Sequence, residues 1–100
     1  MITLHHYLVA SGLLLAIGFV GLITRRNAIL LLLSIEILFN AANLALVAYA
    51  HYLGNLNGQI LVLFSITVAA AEVTVGLAIA ILLFRHLKTL NADEVRLLKW

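Results

Sequence analysis

Cysteine is absent from the chain. That excludes disulfides, thiolate metal sites and thiol redox chemistry, and it leaves the redox compartment unread. Proline is absent as well. Charge is scarce: 10% of the 100 residues are charged, where a soluble domain carries about 25%. Acid is scarcest, with four Asp and Glu in all. The sequence holds no glycine-rich phosphate loop, nucleophile triad or haem-ligand pair. It is too short and too apolar for a soluble catalytic domain, and nothing in it supports nucleic-acid binding. No Lys or Arg precedes the first apolar run, and no small-residue cleavage site follows it. No signal peptide is read, so that run is expected to stay in the mature protein. His5 and His6 are adjacent and do not face together on a helix, so no metal site is expected.

What remains is apolar: 65% of the residues are hydrophobic. They fall into three runs, at about 4–23, 28–53 and 59–84, with a tail at 85–100. Each run can cross a hydrocarbon core of about 30 Å at about 1.5 Å per residue. The expected fold is an all-α integral membrane protein, a single membrane domain over residues 1–100 with three transmembrane helices. Arg25 and Arg26 lie between the first two runs, and Arg85 and Lys88 follow the third. The second loop is uncharged. The positive-inside rule then places the first loop and the C-terminus in the cytoplasm, and the N-terminus outside. The net charge of +2 reads as this topology rather than as an anionic partner. In the tail, Asn91 has the position of a helix cap, with Asp93 and Glu94 behind it. Val95, Leu97, Leu98 and Trp100 give that segment an apolar side for the interface or a neighbour, the alternative being a frayed terminus.

Against this background, Glu36 and Glu72 stand in the middle of the second and third runs. An ionised carboxylate at the centre of a bilayer costs about 2.5–3.5 kcal/mol on insertion scales. Its default reading is a proton or cation pathway. Asn40 and Asn43 follow Glu36 at spacings of four and seven, so all three line one helix face. Asn40 is within hydrogen-bond reach of Glu36. Lipid satisfies none of these groups, so the stripe faces protein or water. The competing reading is polar glue between helices. Gln would serve that purpose without a charge to bury, which favours a proton-carrying role for Glu36. Glu72 follows Ala69, Ala70 and Ala71, with Gly76 one turn later and Ser65 two turns earlier. Small neighbours let a helix approach closely or leave room for water. Its alternative is a protonated group bonded to a carbonyl. Burial raises carboxyl pKa values in general, to about 8–9 in documented cases, where a group can both take and give a proton.

Depth bears on whether the two acids meet. Glu36 is nine residues from Asn27, about 14 Å from that end, and Glu72 is thirteen residues from Arg85, about 20 Å. With helix axes about 8–10 Å apart, the offset argues against a direct hydrogen bond and for a bridge of water or a partner's residue. In the first run, Gly12 and Ala16 form a small-xxx-small pair, with Gly18 and Gly21 further along, and these read as packing. Arg25 and Arg26 read as membrane anchors, with lipid phosphates or a partner's acids as further ligands. His51 and Tyr52 read as interfacial.

Arg25-Arg26-Asn27, the stretch from Ser34 through Glu36 and Asn40 to Asn43, Gly58-Gln59, and Ala69-Ala-Ala-Glu72-Val-Thr-Val-Gly76 closely resemble subunit K of NADH:quinone oxidoreductase, the respiratory complex I of bacteria. The likeness runs from the first span to Arg85. It implies a three-span subunit of the proton-pumping membrane arm in the bacterial inner membrane. Glu36 and Glu72 match the family's proton-pathway glutamates, shared with adjacent antiporter-like and connecting (J-type) subunits. Arg25 and Arg26 match its cytoplasmic loop. NADH oxidation, FMN, iron–sulfur clusters and quinone chemistry would belong to other subunits, with no cofactor in this chain. Alternatives are the small subunit of a multisubunit cation/proton antiporter or of a membrane-bound hydrogenase, and a purely structural assembly subunit. A small multidrug exporter fits less well, since it has four spans and its glutamate in the first.

Overall fold

In hydrocarbon every backbone N–H and C=O must be satisfied within the chain, and the helix does this within one segment. The runs are rich in Leu and Ala, which favour helix, and contain no proline to break it. The computed structural model describes residues 2–88. Within them the chain forms α1 (Leu4–Thr24), α2 (Ala28–Tyr52) and α3 (Leu56–Leu87). All three are long and apolar enough to cross a membrane. The expected tail helix, with Asn91, Asp93, Glu94 and Trp100, lies outside the described residues.

Asparagines set both turns. Asn27 Oδ1 accepts from Ile29 N at 2.9 Å and Leu30 N at 3.3 Å, which caps α2. Asn55 Oδ1 accepts from Gly58 N at 3.0 Å and caps α3. Each cap satisfies amides that the first helical turn leaves unpaired. Between α2 and α3, Gly54 takes φ +67, the left-handed region open to glycine. There Gly54 N donates to His51 O at 3.2 Å and Asn55 N to Ala50 O at 2.8 Å. At the far end Lys88 turns left-handed at φ 58 and closes α3 onto Phe84 O.

The middle helix, α2, packs against both α1 and α3. Its contacts are made by small residues. Ser34, Ala41 and Ala48 are buried at spacings of seven, and Asn43 and Ala50 are buried on a second face. On α3 the buried positions are Val62, Ala69 and Ala80. Large apolar side chains point outward instead, with Ile23 78% and Phe64 67% exposed. That inversion suits a lipid or subunit environment, where close backbone approach holds helices together.

On α1 the contact runs through Ser11, Gly18 and Gly21. A Cβ on Gly18 would fall 2.5 Å from Leu38 Cδ2, and one on Gly21 would collide with Ser34 Oγ. Gly12 has nothing within 4 Å and Ala16 is exposed, so the expected small-xxx-small pair does not form the contact. Ser11 sets the packed face, and Gly12 sits about 100° around the helix from it. Ser11 Oγ donates to Ala41 O across the α1–α2 seam at 2.6 Å. Interhelical bonds of this kind average about 0.6 kcal/mol in a membrane. Ser11→Ala should lower stability by about that much, read as a lower midpoint when the purified subunit is titrated with SDS. Near the start of α1, Tyr52 Oη donates to Ile2 O at 3.2 Å, and the Tyr7 and Tyr52 rings lie 6.3 Å apart. These contacts fasten the beginning of α1 to the end of α2.

Candidate functional site

Two close contacts define how α3 runs beside α2. A Cβ on Gly58 would lie 2.8 Å from Ala50 Cβ, and one on Gly76 would lie 2.7 Å from Leu32 Cδ2. Both fit a single antiparallel register, eighteen residues apart on each helix (50 to 32, 58 to 76). Ala28 and Ala80, which line a common groove, obey it as well. Glu36 is four residues from Leu32, and Glu72 is four residues from Gly76. The register therefore brings Glu36 and Glu72 to the same level.

This corrects the offset expected from the sequence. The reference points were Asn27 and Arg85. Arg85, however, lies in the last turn of α3, which continues past the first residue of α2. Ala28 stands opposite Ala80, so Arg85 is five residues beyond that level, about 7 Å along the helix.

The two carboxyl groups leave the seam on different flanks. Glu36 is half-buried, and its helical phase puts it beside Asn40 and Asn43. Those amides line a cleft of ≈ 470 Å³ between the helices, together with Leu14, Val47, Gln59 and Val62. Glu72 is exposed in the chain alone, and its phase puts it with Gly76 and Ile79. Those two line a second, apolar groove with Leu32 and Ile35. Among the described residues neither glutamate makes a hydrogen bond or ion pair within the chain. The bond expected between Asn40 and Glu36 is not formed. Asn43 is 6% exposed, and its Nδ2 is buried with no hydrogen-bond partner.

Hydroxyls on the same helices behave differently. Thr67 Oγ1 donates to Leu63 O and Thr74 Oγ1 to Ala70 O, each at 2.9 Å. Such bonds to the preceding turn satisfy a hydroxyl in apolar surroundings. Asn43 Nδ2, by contrast, is a buried polar atom left without such a bond.

Arg25 and Arg26 sit exposed in the turn between α1 and α2. Arg25 stands at the mouth of a groove lined by Val20, Leu30, Leu33 and Ile37. His51 and Tyr52 stand at the opposite end of α2, their rings 5.1 Å apart. Gln59 was not singled out from the sequence as a site residue, although it lines two adjoining clefts. A visible signal was present: it is an amide one turn into an apolar helix, beside the cap.

A carboxyl pair at one level inside apolar helices, with an amide stripe along one flank, is equipped to hold and exchange protons. It offers little else chemically. The family model for NADH-ubiquinone/plastoquinone oxidoreductase chain 4L matches residues 6–100. The chain belongs to this family. Relatives of chain 4L extend over its full length. NADH-quinone oxidoreductase subunit K 2 of Solibacter usitatus is 54% identical over 99 residues, covering 99% of this chain and 97% of its own. Subunit K of Methylacidiphilum infernorum is also 54% identical over 99 residues, with 99% and 98% covered. Subunit K of Thiobacillus denitrificans is 49% identical over 100 residues, with 99% of each chain covered. As a chain 4L family member the protein is a membrane subunit of NADH-quinone oxidoreductase, and other subunits of that complex are its partners.

Proposed function

We propose that this chain contributes Glu36 and Glu72 to a proton-translocation pathway in the membrane arm, coupled to quinone reduction elsewhere in the complex. The observation that carries the reading is their common level on adjacent helices, with neither carboxyl bonded among the described residues. A protonated carboxyl on one helix gives its proton to the carboxylate on the other, through a water or a partner's side chain. One shared proton leaves one net charge in the membrane rather than two, and each such charge costs about 2.5–3.5 kcal/mol. The exposed side of Glu72 faces a neighbouring subunit, because lipid would leave it unsatisfied. We assign the neighbours as antiporter-like and connecting subunits.

Arg25 and Arg26 support an orientation with the first turn and Lys88 in the cytoplasm and the N-terminus outside. The bacterial inner membrane is the corresponding location. FMN, iron–sulfur clusters and quinone belong, on this reading, to other subunits. The test is Glu72→Gln in the purified complex reconstituted into liposomes. NADH-driven proton uptake should fall about a hundredfold, with subunit composition unchanged on a native gel. Full pumping by an assembled Glu72→Gln complex would remove Glu72 from the pathway.

A further inference from the structure

The buried amide of Asn43 has no use in the relay just described. Burying an amide without a hydrogen bond costs about 1–3 kcal/mol in proteins. Asn43 is one of the residues lining the cleft that also carries Asn40 and Gln59, with its Nδ2 itself buried. That cleft shares Leu44, Val47 and Gln59 with an adjoining one of ≈ 260 Å³, lined by Tyr7, His51 and Tyr52. The two make one passage from the end of the bundle at the α2–α3 turn toward mid-helix. At its inner end Asn40 is one helical turn from Glu36, with Cβ atoms about 5–6 Å apart.

We infer that this passage holds a chain of water molecules connecting the face at the α2–α3 turn with Glu36, positioned by Gln59, Asn43 and Asn40. Water fits the site chemically. A buried water needs about 2–4 polar partners and roughly 10–15 Å³ of accessible space. Three side-chain amides and ≈ 470 Å³ satisfy both conditions. The spacing fits too. In the α2–α3 register Gln59 is level with Tyr49, six residues from Asn43, about 9 Å along the axis. Asn43 to Glu36 is seven residues, about 10 Å. Waters about 2.8 Å apart span each gap in three or four steps. Asn43 stands between Gln59 and Glu36 and fixes the course of the chain. The inference rests on Glu36 carrying protons, and it supplies the side from which Glu36 exchanges them.

The test uses the assembled complex and the absence of cysteine from this chain. Single cysteines are placed at Val47 and Asn40 in the passage, and at Ala42 on the opposite face of α2. A charged, membrane-impermeant methanethiosulfonate is added on the side of the α2–α3 turn, and labelling of this chain is followed by mass spectrometry. The reagent needs a hydrated thiolate, so V47C and N40C should react at least about tenfold faster than A42C. Adding Asn43→Leu should slow N40C to the A42C rate, and Asn43→Ser should restore it. Equal, slow labelling at all three positions overturns the inference and means that a partner's side chain or a lipid fills the passage. Labelling does not depend on turnover. Fast labelling with normal pumping in Glu36→Gln would keep the water chain and overturn the role of Glu36. Slow labelling with pumping abolished in Glu36→Gln would do the reverse.

Discussion

Glu36→Gln is expected to leave the complex assembled and to lower NADH-driven proton pumping about a hundredfold. Gln has the size of Glu and makes similar hydrogen bonds, so a merely adhesive role would survive the change. What Gln cannot do is bind and release a proton. Glu36 is half-buried beside Asn40 and Asn43, and among the described residues no group is bonded to its carboxyl. No local contact is therefore lost in the variant. Glu36→Asp keeps the titratable group but draws it back by one methylene, so pumping should be partly retained. The double variant Glu36→Gln/Glu72→Gln should pump no worse than Glu36→Gln alone, since residues acting in series are not additive. Pumping is read from a pH-sensitive dye in NADH-energised vesicles, normalised to subunit content on native gels. Undiminished pumping in an assembled Glu36→Gln complex would sink the assignment.

Gly76→Leu should release the subunit from the complex. A Cβ at Gly76 already meets Leu32 at 2.7 Å and 3.2 Å. Those atoms are the ends of a leucine, so Gly76→Ala is accommodated by a small shift of that side chain. A leucine has nowhere to go, and overpacking of this kind costs about 1–3 kcal/mol. The helices separate at the level next to Glu36 and Glu72, and native gels should show the subunit depleted. Leu32→Gly in the same chain should restore it by exchanging the two volumes across the seam. Failure of that rescue, with Leu32→Gly alone tolerated, would contradict the α2–α3 register.

The architecture was legible because it depends on composition. Three long apolar runs without proline, separated by Arg25-Arg26-Asn27 and Gly54-Asn55, leave little besides three helices. The stripe of Glu36, Asn40 and Asn43 was legible because spacings of four and seven fix a helix face. The level of the two acids was not, because it depends on where one helix stops sliding against another. Basic residues mark the membrane boundary only loosely, and Arg85 lies well past the beginning of α2. On α1, Gly18 and Gly21 pack as expected while Gly12 and Ala16 do not, for a related reason. Gly12 and Ala16 have suitable spacing, but the packed face is set by Ser11, whose hydroxyl finds Ala41 O. The isolation of Asn43 Nδ2 was equally hidden, since a partner's absence is a property of the packed helices.

The contacts at Gly58 and Gly76 have a mechanical side. They hold α3 against α2 as two pegs hold a ruler, eighteen residues apart (58 to 76). A slip of one residue would move Glu72 about 1.5 Å along and about 100° around, and would have to break both contacts together. Stroke-like sliding between these helices is therefore a poor way to open and close access to the acids. Alternation falls instead to the parts that are free to move on a fixed frame: carboxyl rotamers, water, and the surfaces of neighbouring subunits.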